Sequence, residues 1–197
     1  MIRQDTISIG LSILAVSLLI FLGTFGADYM LRGLFSVALI LSGLVLSRVT
    51  GGHDVDSDIE GREWRDIWIW VAGSLAVIFV TSSLVPRLGL GIDTKILSGE
   101  QIWLVPRMFG VLIAVAEEQF FRGFMANLFI ARVGIALGIP FSGIFFAVYH
   151  AAVYGTSPGL LLFVAVSGMI LTYAALKTGR VSTPMIAHVA NNLMSGA

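Results

Sequence analysis

In the middle of an apolar run from Val105 to Ile130 stand two adjacent carboxylates and a guanidinium, in the string Glu117-Glu118-Gln119-Phe120-Phe121-Arg122. At bilayer depth each such charge costs about 2.5–3.5 kcal/mol on insertion scales, so these groups face a wet cavity or a bundle interior and mark function by default. On a helix Glu118 and Arg122 lie four apart on one face, acid first, the order that favours pairing. Glu117 points about 100° away from Glu118, which leaves it as the carboxylate without a partner.

The rest of the chain agrees with a lipid setting. Of its 197 residues 57% are hydrophobic and 12% charged, against roughly 25% charged in a soluble domain, and the mean hydropathy is +0.93. The expected fold class is all-α, a polytopic transmembrane helical bundle of about seven hydrophobic segments around a polar cavity. Acids and bases balance at 12 each, so no basic surface argues for nucleic acid and no nucleic-acid partner is expected. With no cysteine, disulfides, thiolate ligands and a cysteine nucleophile are excluded. A single integral membrane domain, 1–197, is expected, with amino-terminal spans and a polar loop over 1–101 and a motif-bearing core over 102–197.

Taken in order, Ile7 to Gly26 is long enough to cross about 30 Å of hydrocarbon and too long for the apolar region of a signal peptide, so it reads as the first span. Leu34 to Val49 reads as the second. The stretch from Thr50 to Asp66 is strongly polar. Its Asp54, Asp56 and Asp58 have the spacing of a calcium loop, but Ile59 stands where the turn needs Gly and Arg65 where a bidentate Glu is needed, so a solvated loop is expected. Trp64, Trp68 and Trp70 follow, as in an interfacial aromatic belt. Ile67 to Val85 is the third span, closed by Pro86-Arg87, and the fourth, from about Ile102 to Ile130, carries the acidic motif. Then come Val133 to Tyr154, expected to break at Pro140, Gly159 to Leu176, and a last helix from Pro184, capped by Ser182 or Thr183. Gly134-x-x-x-Gly138 is a candidate close-packing pair. Sorting cations by side puts Arg3, Arg48, Arg62, Arg65, Arg132, Lys177 and Arg180 with a cytoplasmic amino terminus, and Arg32, Arg87, Lys95 and Arg107 opposite, the arrangement the positive-inside rule favours.

Two of the three histidines lie in apolar surroundings downstream of the acids. His150 follows Ile144-Phe-Phe-Ala-Val-Tyr149, and His188 shares a helical face with Asn192. A single buried imidazole is more often a packing residue, and an Asn in a membrane helix is often interhelical glue; acids and imidazoles gathered in consecutive segments scatter less than independent accidents would. Counted from Pro184, His188 is only about 6 Å along the helix, and extended residues 181–183 would carry it deeper by about 10 Å. His150, near Tyr154, requires the uncharged turn 155–158 to be sunk in protein, as is allowed beside a cavity.

Glu117-Glu118-x-x-x-Arg122, Phe146-x-x-x-His150 and His188-x-x-x-Asn192, in that order and each in an apolar segment, resemble the CAAX prenyl endopeptidase and bacteriocin-processing (ABI) family of intramembrane proteases. The resemblance covers about 105–192. It implies a helical bundle with a conical cavity and peptide hydrolysis near the membrane, Glu117 as the water-activating residue with His150 beside it, His188 and Asn192 as stabilisers of the tetrahedral intermediate, and Glu118 and Arg122 in support. It also implies a peptide or protein substrate at or in the bilayer, with a lipidated tail as one candidate.

Amide hydrolysis needs a base for water, an oxyanion donor and a proton for the leaving amine. No Ser-x-x-Lys or Gly-x-Ser-x-Gly element is present, so no covalent nucleophile is evident. Taking a carboxylate out of water destabilises its charged form and makes it a better base, which fits Glu117. The alternative is a zinc metalloprotease in which Glu117, His150 and His188 hold the ion and water fills the fourth position. Against it, His-Glu-x-x-His is absent, and a metal-free site is favoured. A third reading is a proton-coupled transporter or membrane scaffold, since buried Glu, His and Arg also build proton relays; the inverted repeats common in transporters are not evident.

Overall fold

Apolar segments separated by glycine and proline fold here into helices and tight turns. The computed structural model describes residues 29–49, 64–90, 104–154 and 157–195. The helices are α1 (Tyr29–Val49), α2 (Trp64–Arg87), α3 (Leu104–Phe120), α4 (Asn127–Val133), α5 (Ile135–Tyr154), α6 (Pro158–Thr178) and α7 (Ser182–Ser195). Between α3 and α4 the chain stays helical but widens into a π-helical segment, Phe121–Ala126, so 104–133 forms one rod.

Six of the seven expected apolar segments are thus helices. Among the described residues, two helices are long and apolar enough to cross a membrane, Trp64–Arg87 with a hydropathy of 1.9 and Pro158–Thr178 with 2.1; seven spans go beyond what these residues carry. The expected first span, 7–26, the polar loop over 50–63 and the loop residues 91–101 lie outside the described residues. So do residues 155 and 156 of the turn before α6.

The motif-bearing rod lies at the centre. Helix α1 packs along α3, α7 crosses α3 from another side, α2 packs on α6 and α7, and α5 pairs with α4 and α6. The π segment touches α1, α5 and α6. Its Phe121, Phe124 and Met125 join Leu39, Ala116, Phe120, Phe146 and Tyr149 in the main core. Phe121 meets Phe146 edge to face at 5.0 Å between centroids and Phe120 at 5.2 Å, the geometry aromatic quadrupoles prefer. The outward faces are apolar too: Leu34, Val37, Leu41, Leu44 and Val45 on α1 and Trp68, Phe79 and Val80 on α2 are exposed. Trp70 turns inward instead, edge-on to Tyr173 at 5.2 Å.

Several local expectations are corrected. Helix α5 runs through Pro140 without breaking, because a proline in the second turn removes one hydrogen bond while the tertiary packing of the helix is retained. Gly134 is a helix breaker with φ +77°, in the region where glycine is favoured, and only Gly138 packs closely, against Ile130. Helix α7 starts at Ser182, so 182–183 are helical, not extended, and His188 lies about 9 Å along the helix at 1.5 Å per residue. The Thr183 hydroxyl is buried and has no partner among the described residues, so it does not cap the helix.

At the described glycines, α5 and α6 approach each other closely. A Cβ on Gly143 would lie 2.6 Å from the Ala165 carbonyl oxygen, and one on Gly168 would lie 2.9 Å from Gly143 Cα. Ser142 and Thr172 hydrogen-bond across the same seam at 2.9 Å. Gly143→Ala is therefore expected to force these helices apart and destabilise the protein by about 1–3 kcal/mol, read as a lowered midpoint of thermal unfolding in detergent; an unchanged midpoint would show that the seam yields freely.

Candidate active site

Glu117 and Glu118 end up buried because the last turn of α3 is enclosed by its neighbours; they are 4% and 0% exposed. Glu118 and Arg122 pair as the i, i+4 spacing requires, with Arg122 Nη1 donating to Glu118 Oε1 at 2.8 Å. Arg122 Nη2 donates to the Gly168 carbonyl of α6 at 3.3 Å, and the guanidinium carbon sits 4.2 Å from the centroid of the Phe146 ring. Arg122 thereby ties three helical elements together. It is in the π-helical segment, a widened turn of the kind often found at functional sites.

The same Glu118 oxygen accepts from His188 Nδ1 at 2.8 Å, so one carboxylate holds both the arginine and an imidazole. Glu118 Oε2 and Arg122 Nε have no partner among the described residues. His188 Nε2 points to the other acid and lies 3.7 Å from Glu117 Oε2. His150 approaches that oxygen from α5, its Nε2 at 3.9 Å. His150 Nδ1 is 2.9 Å from the Phe146 carbonyl oxygen. A carbonyl only accepts, so Nδ1 carries the hydrogen and, in the neutral ring, the Nε2 lone pair faces Glu117. Phe146 spaces the two imidazoles, with ring centroids 4.3 Å from His150 and 5.9 Å from His188.

Three of the four residues expected to do chemistry are thus brought together, with Glu118 and Arg122 behind them. Asn192 lies farther along the seam between α7 and α3. Its Nδ2 donates to the Gly110 carbonyl at 3.2 Å, and Gly110 is about 10 Å of helix axis from Glu117. One neighbour of His150 escaped the sequence reading. Tyr149 is 3% exposed, and its ring packs against those of His150 and Phe121 at 5.2 and 5.3 Å between centroids. Its position directly before His150 was the available signal. Among the described residues, no group of three His, Cys, Asp or Glu is arranged to hold a metal ion, so the zinc alternative gains nothing from the donor geometry.

Residues 99–194 match the family of Rce1-like type II CAAX prenyl endopeptidases, just under half of the chain and including all three motifs. No curated protein and no solved structure matches the chain.

Proposed function

We propose, from the match of residues 99–194 to the type II CAAX prenyl endopeptidases, that this protein is an intramembrane endopeptidase in which Glu117 activates the hydrolytic water. One observation carries the reading: Glu117, His150 and His188, each from a different motif of that family, meet within 4 Å of one carboxylate oxygen. The apolar outer faces of α1 and α2 and the two helices of spanning length support a multi-pass membrane protein, read here as one domain whose amino terminus the sorting of Lys and Arg puts on the cytoplasmic side.

Separations of 3.7 and 3.9 Å exceed a direct hydrogen bond and suit a water that contacts the carboxylate and both imidazoles from the side. Glu117 takes a proton from that water as its oxygen attacks the substrate carbonyl carbon. His150, offering a lone pair at Nε2, accepts the second water hydrogen and orients the nucleophile. The carbonyl electron pair moves onto oxygen. His188 can donate to that oxyanion only through Nε2–H, which requires the doubly protonated ring, since Nδ1–H is already given to Glu118. The Glu118 carboxylate supports that imidazolium, and the donation stabilises the tetrahedral intermediate. When the C–N bond breaks, the proton held by Glu117 passes to the leaving amine and the carboxylate is restored. Asn192 would join as a second donor after releasing Gly110.

The test is cleavage of a membrane-tethered reporter peptide by the purified protein in bilayers, offered with and without a lipid on the peptide. Cleavage is expected and should persist in chelator; loss in chelator with recovery on adding zinc would replace the metal-free mechanism. Absence of cleavage, with uptake driven by a pH gradient, would replace the protease reading by a transporter.

A further inference from the structure

The Arg122 side chain is 0% exposed, and each nitrogen of its guanidinium carries hydrogen to donate. Nη1 donates to Glu118 and Nη2 to the Gly168 carbonyl. Nε has no partner among the described residues. A buried donor on a charged group is expensive to leave unpaired. Beside Arg122 lies a cavity that leaves about 10 Å³ for the centre of a water molecule, walled by Ala126 and Asn127 on the central rod and by Thr172 and Ala175 on α6. Glu118 stands one helical turn before Arg122, whereas Ala126 and Asn127 stand one turn after it. The cavity is therefore on the side of Arg122 away from the ion pair.

We infer that this cavity is a binding site for one water molecule, which accepts from Arg122 Nε and donates to Thr172 Oγ1 and Asn127 Oδ1. Its room suits one water and not two, and a buried water needs two to four polar partners. Thr172 is 1% exposed, and its hydroxyl shares one hydrogen bond with Ser142 Oγ at 2.9 Å. A hydroxyl oxygen has two lone pairs, so at least one is left whichever of the two donates. The Asn127 carboxamide is fixed by Nδ2, which donates to the Gly123 carbonyl at 3.0 Å, and this leaves Oδ1 to accept. A cavity walled only by apolar groups would stay dry; this one has a charged donor and two acceptors around it. With the water bound, every guanidinium nitrogen is held: Nη1 by Glu118, Nη2 by Gly168 and Nε by the water. That fixes Arg122 against the carboxylate whose same oxygen accepts from His188. The site follows from packing and polar partners alone, so it does not depend on the protease reading.

A crystal structure of the full chain, at a resolution that orders internal waters, tests the site directly. Density for one water is expected at about 2.7–3.2 Å from Arg122 Nε and within reach of Thr172 Oγ1 and Asn127 Oδ1. An empty cavity, or density that does not approach Nε, overturns the inference. Two variants test it in solution. Ser142→Ala and Thr172→Val both break the hydroxyl pair between α5 and α6, but only Thr172→Val also takes a partner from the water. Thr172→Val should therefore lower the thermal midpoint in detergent by about 2–4 °C more than Ser142→Ala does, the scale of one further hydrogen bond in a chain of this size. Equal midpoints overturn the arrangement with Thr172 as a partner. Neither readout involves turnover, so a failure here is separate from a failure of the proposed hydrolysis.

Discussion

Replacing Glu117 by glutamine should lower kcat on a membrane-tethered peptide by about 10²- to 10⁴-fold, the range that general acid–base catalysis contributes, while the protein stays folded. Glutamine keeps the length and shape, with an amide nitrogen in place of one oxygen, but cannot take a proton from water or return one to the amine. Its neutral amide is also easier to bury than a carboxylate, and among the described residues Glu117 has no ion pair shorter than 3.7 Å to lose, so the thermal midpoint should hold or rise. Glu118→Gln provides the contrast. It weakens both the arginine and the His188 contacts and should lower activity and stability together. Activity above about a tenth of wild type in Glu117→Gln would fall outside the expected range and remove Glu117 from the reaction.

The largest expected loss of stability is at Arg122. Arg122→Met fills similar space without charge and leaves the Glu118 carboxylate buried without its guanidinium. Breaking a buried pair from one side costs about 3–5 kcal/mol. For a chain of this size that corresponds to a fall of roughly 6–20 °C in midpoint. The Gly168 carbonyl and the Phe146 face lose their partner in the same step. Adding Glu118→Gln should recover much of the stability, because no uncompensated charge then remains. Activity should not recover, since His188 would still lack the carboxylate at its Nδ1. A double variant no more stable than Arg122→Met alone would mean that the interhelical contacts of Arg122, not its charge, hold the bundle.

The ion pair of Glu118 with Arg122 was legible from spacing alone, because residues four apart on any helix are neighbours. The pairing of Glu118 with His188 was not: the two are 70 residues apart in sequence, and the contact depends on where α7 crosses α3. The same holds for Tyr149. In the sequence it is one more aromatic in Ile144-Phe-Phe-Ala-Val-Tyr149, and only the packing of α5 against the π-helical segment sets its ring on Phe121. Asn192 shows the reverse case. Its register with His188 was readable, but in the structure its amide is directed to Gly110. The Gly134–Gly138 spacing also misled in part. Gly143 and Gly168 make the close approach between helices, and no spacing within one helix reveals a pair shared by two.

What the amino-acid order determined by itself is everything that depends on local periodicity and solvation: an all-helical chain, apolar on its outer faces, with a few charges too costly to leave against lipid. Which of those charges share a pocket was decided by tertiary structure. Helix crossings and the widened turn at Phe121–Ala126 set the side-chain directions, and a rotation of a single residue, about 100°, would turn any one of these groups out of the site.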